Sequence, residues 1–198
     1  MRRTRPLKAR SLQARKRSKQ HPPGKPGAGT AGAEAVVVAV ASDDASDRAL
    51  KARGLPVVAL RAQGFTGAAD QIVHTVGRGG RPVIVLGVGP SAQIDSARWR
   101  RIGAQAVRSG SRVRRLAVDV LDLLDATSTT RVDAVRAVAE GMVLGSYRFT
   151  EYRSDPAKVT LTAVTLAGAS GAEPSAAFAE GVRIGQAQNL ARDLVNRP

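Results

Sequence analysis

From residue 36 onward the chain alternates two kinds of hydrophobic pattern. Continuous apolar runs of strand length occur at VVVAV (36–40), PVVAL (56–60), VIVLGV (83–88) and RLAVDV (115–120). Unbroken runs of this length predict strands covered on both faces. Between them lie SDDASDRALKARG, TGAADQIVHTVG and AQIDSARWRRIGAQAVRSG, each bounded by turn or cap residues, which predict helices. The alternation predicts an α/β fold, with a mostly parallel sheet flanked by helices.

Helical spacing is clearest around Trp99. Trp99, Ile102, Gly103 and Ala106 form one apolar stripe, and Arg98, Arg101, Gln105 and Arg108 form the opposite face. The next predicted helix, in TTRVDAVRAVAEGMVLGSYRF (129–149), opens with Thr130 three residues before Asp133, a pattern related to the capping box. Gly141 and Gly145 lie one turn apart on it, which would let another backbone come close. VTLTAVTL (159–166) alternates apolar and hydroxyl residues, so it predicts a half-exposed strand near a sheet edge. Finally, Phe178, Val182, Gly185, Leu190 and Leu194 recur along a helix of about twenty residues with Pro174 suited to its first turn.

Charge changes the picture at the N-terminus. The formal net charge is +15, yet residues 1–33 hold ten Lys and Arg and no acid, so the remaining 21 basic and 16 acidic residues are close to balance. The segment is rich in Pro and Gly and has no hydrophobic period, so it is expected to be a disordered basic arm. Three readings of it stay open: an upstream extension, an Arg-rich targeting presequence, and an arm that binds nucleic acid by counterion release. AVVVAVA (35–41) ends in an A-x-A pattern, but a buried strand accounts for it better than a secretory signal does. No run approaches the roughly 20 apolar residues that span a bilayer. With no cysteine, the chain is without disulfides or thiol chemistry, and a cytoplasmic location is expected.

Candidate chemistry is sparse. Of the two histidines, His21 lies in the arm and His74 stands alone. Asp119, Asp122 and Asp125, like Asp43, Asp44 and Asp47, are expected to cap and solvate the ends of elements. VIVLGVGPSA places Gly87, Gly89 and Ala92 in a loose G-x-G-x-x-[GA] fingerprint between a strand and a helix, with Asp119 at the end of the next strand as a possible ribose ligand. Pro90 removes one amide from that loop, and a plain strand-to-helix turn is the competing reading. The Arg98, Arg101 and Arg108 face is a candidate polyanion patch, against the plainer reading of a solvated helix side. No nucleophile elbow, zinc-protease helix or phosphate-loop lysine is present.

Three stretches, AEGMVLGSYRFTEYRSD (139–155), VTLTAVTL (159–166) and AEGVRIGQAQNLARDLVNRP (179–198), resemble in order and spacing the N-terminal domain of the leucyl aminopeptidase (cytosol aminopeptidase) family. VIVLGVGPSA and WRRIGAQAVR resemble that family's strand-turn and following helix. The resemblance implies a macro-like α/β domain over 34–172 and an interdomain helix over 173–198 that leads to a catalytic domain absent here. It implies two divalent metal ions (Mn or Zn) for the full-length enzyme and no cofactor, metal ligand or catalytic residue in this chain, which should be inactive alone. Homo-oligomer assembly of the full-length enzyme and DNA binding by some members are further implications. The alternatives are a nucleic-acid-binding module using residues 1–33 and the arginine face, and a nucleotide or ADP-ribose binder at Gly87–Ala92.

Overall fold

The computed structural model describes residues 24–27, 29–149 and 161–196. Six strands form one sheet: β1 (Lys25–Gly27), β2 (Ala35–Val40), β3 (Ile72–Val76), β4 (Pro82–Gly87), β5 (Arg115–Asp119) and β6 (Ala163–Ala167). Their order is β1-β6-β5-β2-β4-β3. All neighbours are parallel except β3 and β4, which form an antiparallel hairpin. This is the mostly parallel α/β architecture that the hydrophobic alternation predicts.

Helices cover both faces unequally. α1 (Asp47–Ala52) and α2 (Val57–Ala62) are short, and they close a small cluster of Leu50, Leu60 and Phe65 on Val40, Val73, Val83 and Val85. On the other face α3 (Ser96–Ser109), α4 (Arg131–Ser146) and α5 (Ala172–Val195) lie over the main core. There Trp99, Ile102, Val138 and Phe178 meet Val37, Leu86, Val118 and Leu166. Each such side chain, buried completely, contributes roughly 1.5–3 kcal/mol.

Local signals explain several boundaries. The side chains of Ser46, Asp95 and Thr130 accept from the amides of Ala49, Arg98 and Asp133, which caps α1, α3 and α4. At Gly141 an added Cβ would collide with the carbonyl of Arg100, so α3 and α4 touch backbone to backbone there. The close approach expected of Gly141 and Gly145 is present, and Gly145 faces Ala104 in the same way.

Four expectations need correction. PVVAL (56–60) is not a strand: Pro56 caps α2, Leu60 is buried, Val58 is 85% exposed, and Gly64 at φ 68° ends the turn. The buried positions there follow a helical period, which a short apolar run does not reveal. Conversely, TGAADQIVHTVG is not a helix. Gly67 (φ 78°) and Asp70 (φ 68°) interrupt it, and the β-branched run that follows is β3. The arm does not run unstructured to residue 33, because Lys25–Gly27 pair with Thr165–Ala167 as the edge strand β1. Residues 1–23 lie outside the described residues, and so do Val159 and Thr160 at the head of the expected last strand. β6 is consequently one strand in from the edge. Lastly, the apolar positions of α5 do not form one stripe. Phe178 is buried in the main core and Gly185 faces α4, while Leu190 and Leu194 are 59% and 63% exposed.

Candidate functional site

The loop after β4 carries the candidate phosphate-binding fingerprint, and the amides of Gly87, Val88, Gly89 and Ser91 are already engaged. Gly87 N donates to Gln71 O at 2.8 Å, Val88 N to Val40 O at 3.1 Å, and Gly89 N to Gly67 O at 3.0 Å. Pro90 has no amide hydrogen. Ser91 N donates to the Asp43 carboxylate at 3.1 and 3.2 Å, and the Ser91 hydroxyl donates to it as well. The hydroxyl bond, followed by the amide, holds the Asp43 carboxyl below its usual range, so the anion at this turn is the protein's own side chain. Gly87 is required because the carbonyl of Ala68 stands where its Cβ would be. Ala92 sits in a single 3-10 turn, Ser91–Gln93. A nucleotide reading gains no support from this geometry.

Asp119 lies at the C-terminal end of β5, with Val38 of β2 as its register partner, and so on the α1 side of the sheet. Burial raises its pKa, the Asp122 charge adds to this, and the Arg53 guanidinium opposes both. Arg53 itself is engaged. It donates to Ala39 O and to Asp44 at 2.9 Å each, and stands 3.9 Å from Asp122. Asp44 and Asp47 tie the α1 region together through Arg53 and Arg61, a more specific role than solvating an element end.

The arginine face is partly neutralised. Arg101 pairs with Asp70 at 2.6 Å, Arg98 approaches the same carboxylate at 3.7 Å, and Gln105 donates to it at 2.8 Å. Arg108 stays exposed beside a cleft of about 390 Å³ that Arg100, Arg101 and Arg192 also line. Sequence periodicity placed Arg98, Arg101 and Arg108 on one side of α3; the tertiary structure supplies the acid that claims two of them.

The most constrained polar groups lie elsewhere, on the seam between α4 and α5. Glu140 is 5% exposed; Arg100 pairs with it at 2.9 Å and Gln188 donates to it at 2.7 Å. Asn189, 1% exposed, donates to Val143 O at 3.2 Å. The Tyr147 hydroxyl donates to buried Asp193 at 2.8 Å, and the Arg192 guanidinium lies over the Tyr147 ring at 5.5 Å. Burial, then the bond to Asp193, pushes the Tyr147 hydroxyl up from its ordinary pKa. Glu140, Asn189 and Asp193 stand within the stretches that carry the family resemblance, which was the only signal in the sequence pointing to them. Away from this seam, Leu190 and Leu194 of α5 are 59% and 63% exposed, and Ile184 and Val195 at its flank are 37% and 84% exposed.

For metal chemistry the donor set is the test. Among the described residues no group of three or more His, Asp or Glu side chains comes together to hold an ion. No described helix is long and apolar enough to cross a membrane.

The described residues form an α/β domain with a mostly parallel six-stranded sheet and a buried polar seam between α4 and α5. The sequence profile of the cytosol aminopeptidase family, N-terminal domain, matches residues 35–156, and the chain belongs to that family. A probable cytosol aminopeptidase of Rhizobium etli is 33% identical over 176 residues, which cover 83% of this chain and 34% of that protein. Among solved structures, the bottromycin maturation enzyme BotP in complex with Mn superposes with a TM-score of 0.68 at 33% identity, over 84% of this chain and 32% of BotP. A tomato leucine aminopeptidase mutant gives 0.72 at 22% identity, over 92% of this chain and 40% of that one, which shows the shared fold. The chain spans about a third of the length of the curated relatives it matches.

Proposed function

We propose that this chain is the non-catalytic N-terminal domain of a metal-dependent aminopeptidase, and that it docks on a catalytic domain through the outer side of α5. The observation that carries the reading is the division of that helix. Its inner side is fixed on α4 by buried polar contacts, and its outer side leaves Leu190, Leu194 and Val195 in water. Exposing them is unfavourable by roughly 1.5–3 kcal/mol per large side chain unless a partner covers them. Metal ligands and the groups that activate water would belong to the part of the relatives that this chain does not span. In a longer cytoplasmic protein the domain would help assemble the oligomer.

The test uses two proteins. The 198-residue chain with added Mn²⁺ should release no N-terminal residue from a peptide. A hybrid in which it replaces the matching third of the Rhizobium etli relative should hydrolyse peptides, and Leu190→Gln with Leu194→Gln should impair it. Peptide hydrolysis by the chain alone, or a folded hybrid indifferent to both substitutions, would overturn the proposal.

A further inference from the structure

The two edges of the sheet are built differently. β1 consists of Lys25, Pro26 and Gly27, combining a charge, a missing amide and a weak strand former, all devices that keep an edge from pairing. β3 reads Ile72-Val73-His74-Thr75-Val76 and has no Pro, Gly, Lys, Arg, Asp or Glu.

Pairing with β4 fixes which backbone groups of β3 are left over. Gly87 N donates to Gln71 O at 2.8 Å and Gly77 N to Arg81 O at 2.9 Å. In an antiparallel ladder the bonded positions alternate, so Val73 and Thr75 also bond to β4. Ile72, His74 and Val76 therefore direct their N–H and C=O groups outward. The side chains of the same three residues are exposed, with Ile72 at 42% and Val76 at 56%. They share the α3 side of the sheet, since Ile72 and His74 lie opposite Leu86 and Ile84 of the main core.

We infer that β3 is a self-association edge, on which a second copy of this chain pairs antiparallel about a two-fold axis at His74. In that register His74 meets its own counterpart and Ile72 meets Val76 of the second copy. Every outward donor then faces an acceptor, and apolar side chains sit beside apolar side chains. The flanking charges agree: Asp70 precedes the strand and Arg78 follows it, so antiparallel pairing brings an acid of one copy toward a base of the other. Arg78 makes no ion pair among the described residues. One sheet would run through both copies. A strand this short buries less than the roughly 800 Å² per partner of a tight complex, so the dimer is weak in the isolated domain and is reinforced wherever other contacts hold the copies together. The inference does not depend on the catalytic assignment.

Sedimentation equilibrium of the 198-residue chain between about 1 μM and about 1 mM tests it, a range that covers dissociation constants across the weak regime. A concentration-dependent dimer is expected. Amide exchange at Ile72, His74 and Val76 should slow as the dimer forms, while Val73 and Thr75, already bonded to β4, should not change. Val76→Lys or Ile72→Lys, each at an exposed position, should weaken association at least tenfold and leave the melting temperature in place. A monomer throughout the range would overturn the inference. So would a dimer that leaves the three outward amides unprotected, or one that is abolished by Leu194→Gln and not by Val76→Lys.

Discussion

The two sides of α5 share a backbone and differ in everything else. Toward α4 the helix presents Gly181, Gly185, Asn189 and Asp193, all buried, and an added Cβ at Gly181 would run into the carbonyl of Arg136. Away from α4 it presents Ile184, Leu190, Leu194 and Val195, the largest apolar side chains of the helix's second half. In the second half of the helix the buried positions are small or polar, while large apolar side chains stand exposed beside Arg183, Gln186 and Arg192, unlike an ordinary surface helix. Close backbone packing and directed hydrogen bonds hold the inner side. The apolar area of Leu190, Leu194 and Val195 is left in solvent.

Three variants would break or sharpen this contrast. The largest effect is expected where helices touch through backbone. Gly141→Leu puts a side chain into the carbonyl of Arg100, and overpacking of this kind costs about 1–3 kcal/mol or more, so the chain should lose its cooperative thermal transition or melt far lower. An intermediate effect is expected for Glu140→Ala, which removes the carboxylate that pairs with Arg100 and accepts from Gln188. Breaking a fully buried pair costs about 3–5 kcal/mol, and because Arg100 keeps 40% of its side chain in solvent the loss should be nearer 1–2 kcal/mol by urea titration. Leu190→Gln with Leu194→Gln should have the smallest effect, within about 0.5 kcal/mol of the parent, since both positions are exposed. A large loss of stability in that last variant would mean the outer side is packed, and the contrast would fail.

Much of the fold was legible because it rests on local signals. Apolar runs of the right length marked β2, β4 and β5, and the caps Thr130 and Asp95 sit where the helical periods begin. PVVAL and QIVHTV depart from the sequence expectation in opposite directions for one physical reason: a run of five apolar or β-branched residues satisfies either period, and the choice belongs to the partners it meets. Val73 becomes strand because Val85 lies beside it, and Leu60 becomes helix because it meets the Leu50 and Phe65 cluster. The candidate phosphate loop was legible as a turn, but the text alone gives no sign that Asp43, 48 residues from Ser91, takes the anion's place there.

The sequence by itself determined the α/β alternation, the glycine positions where helices meet, the basic N-terminal stretch and the family, because each is written in neighbouring residues or in a matched pattern. Only the tertiary structure decided which side of α5 is buried, which edge of the sheet is left unguarded and which acid pairs with Arg98 and Arg101 of α3. Those outcomes depend on what lies across the fold, and a one-dimensional period carries no information about the far side of a contact.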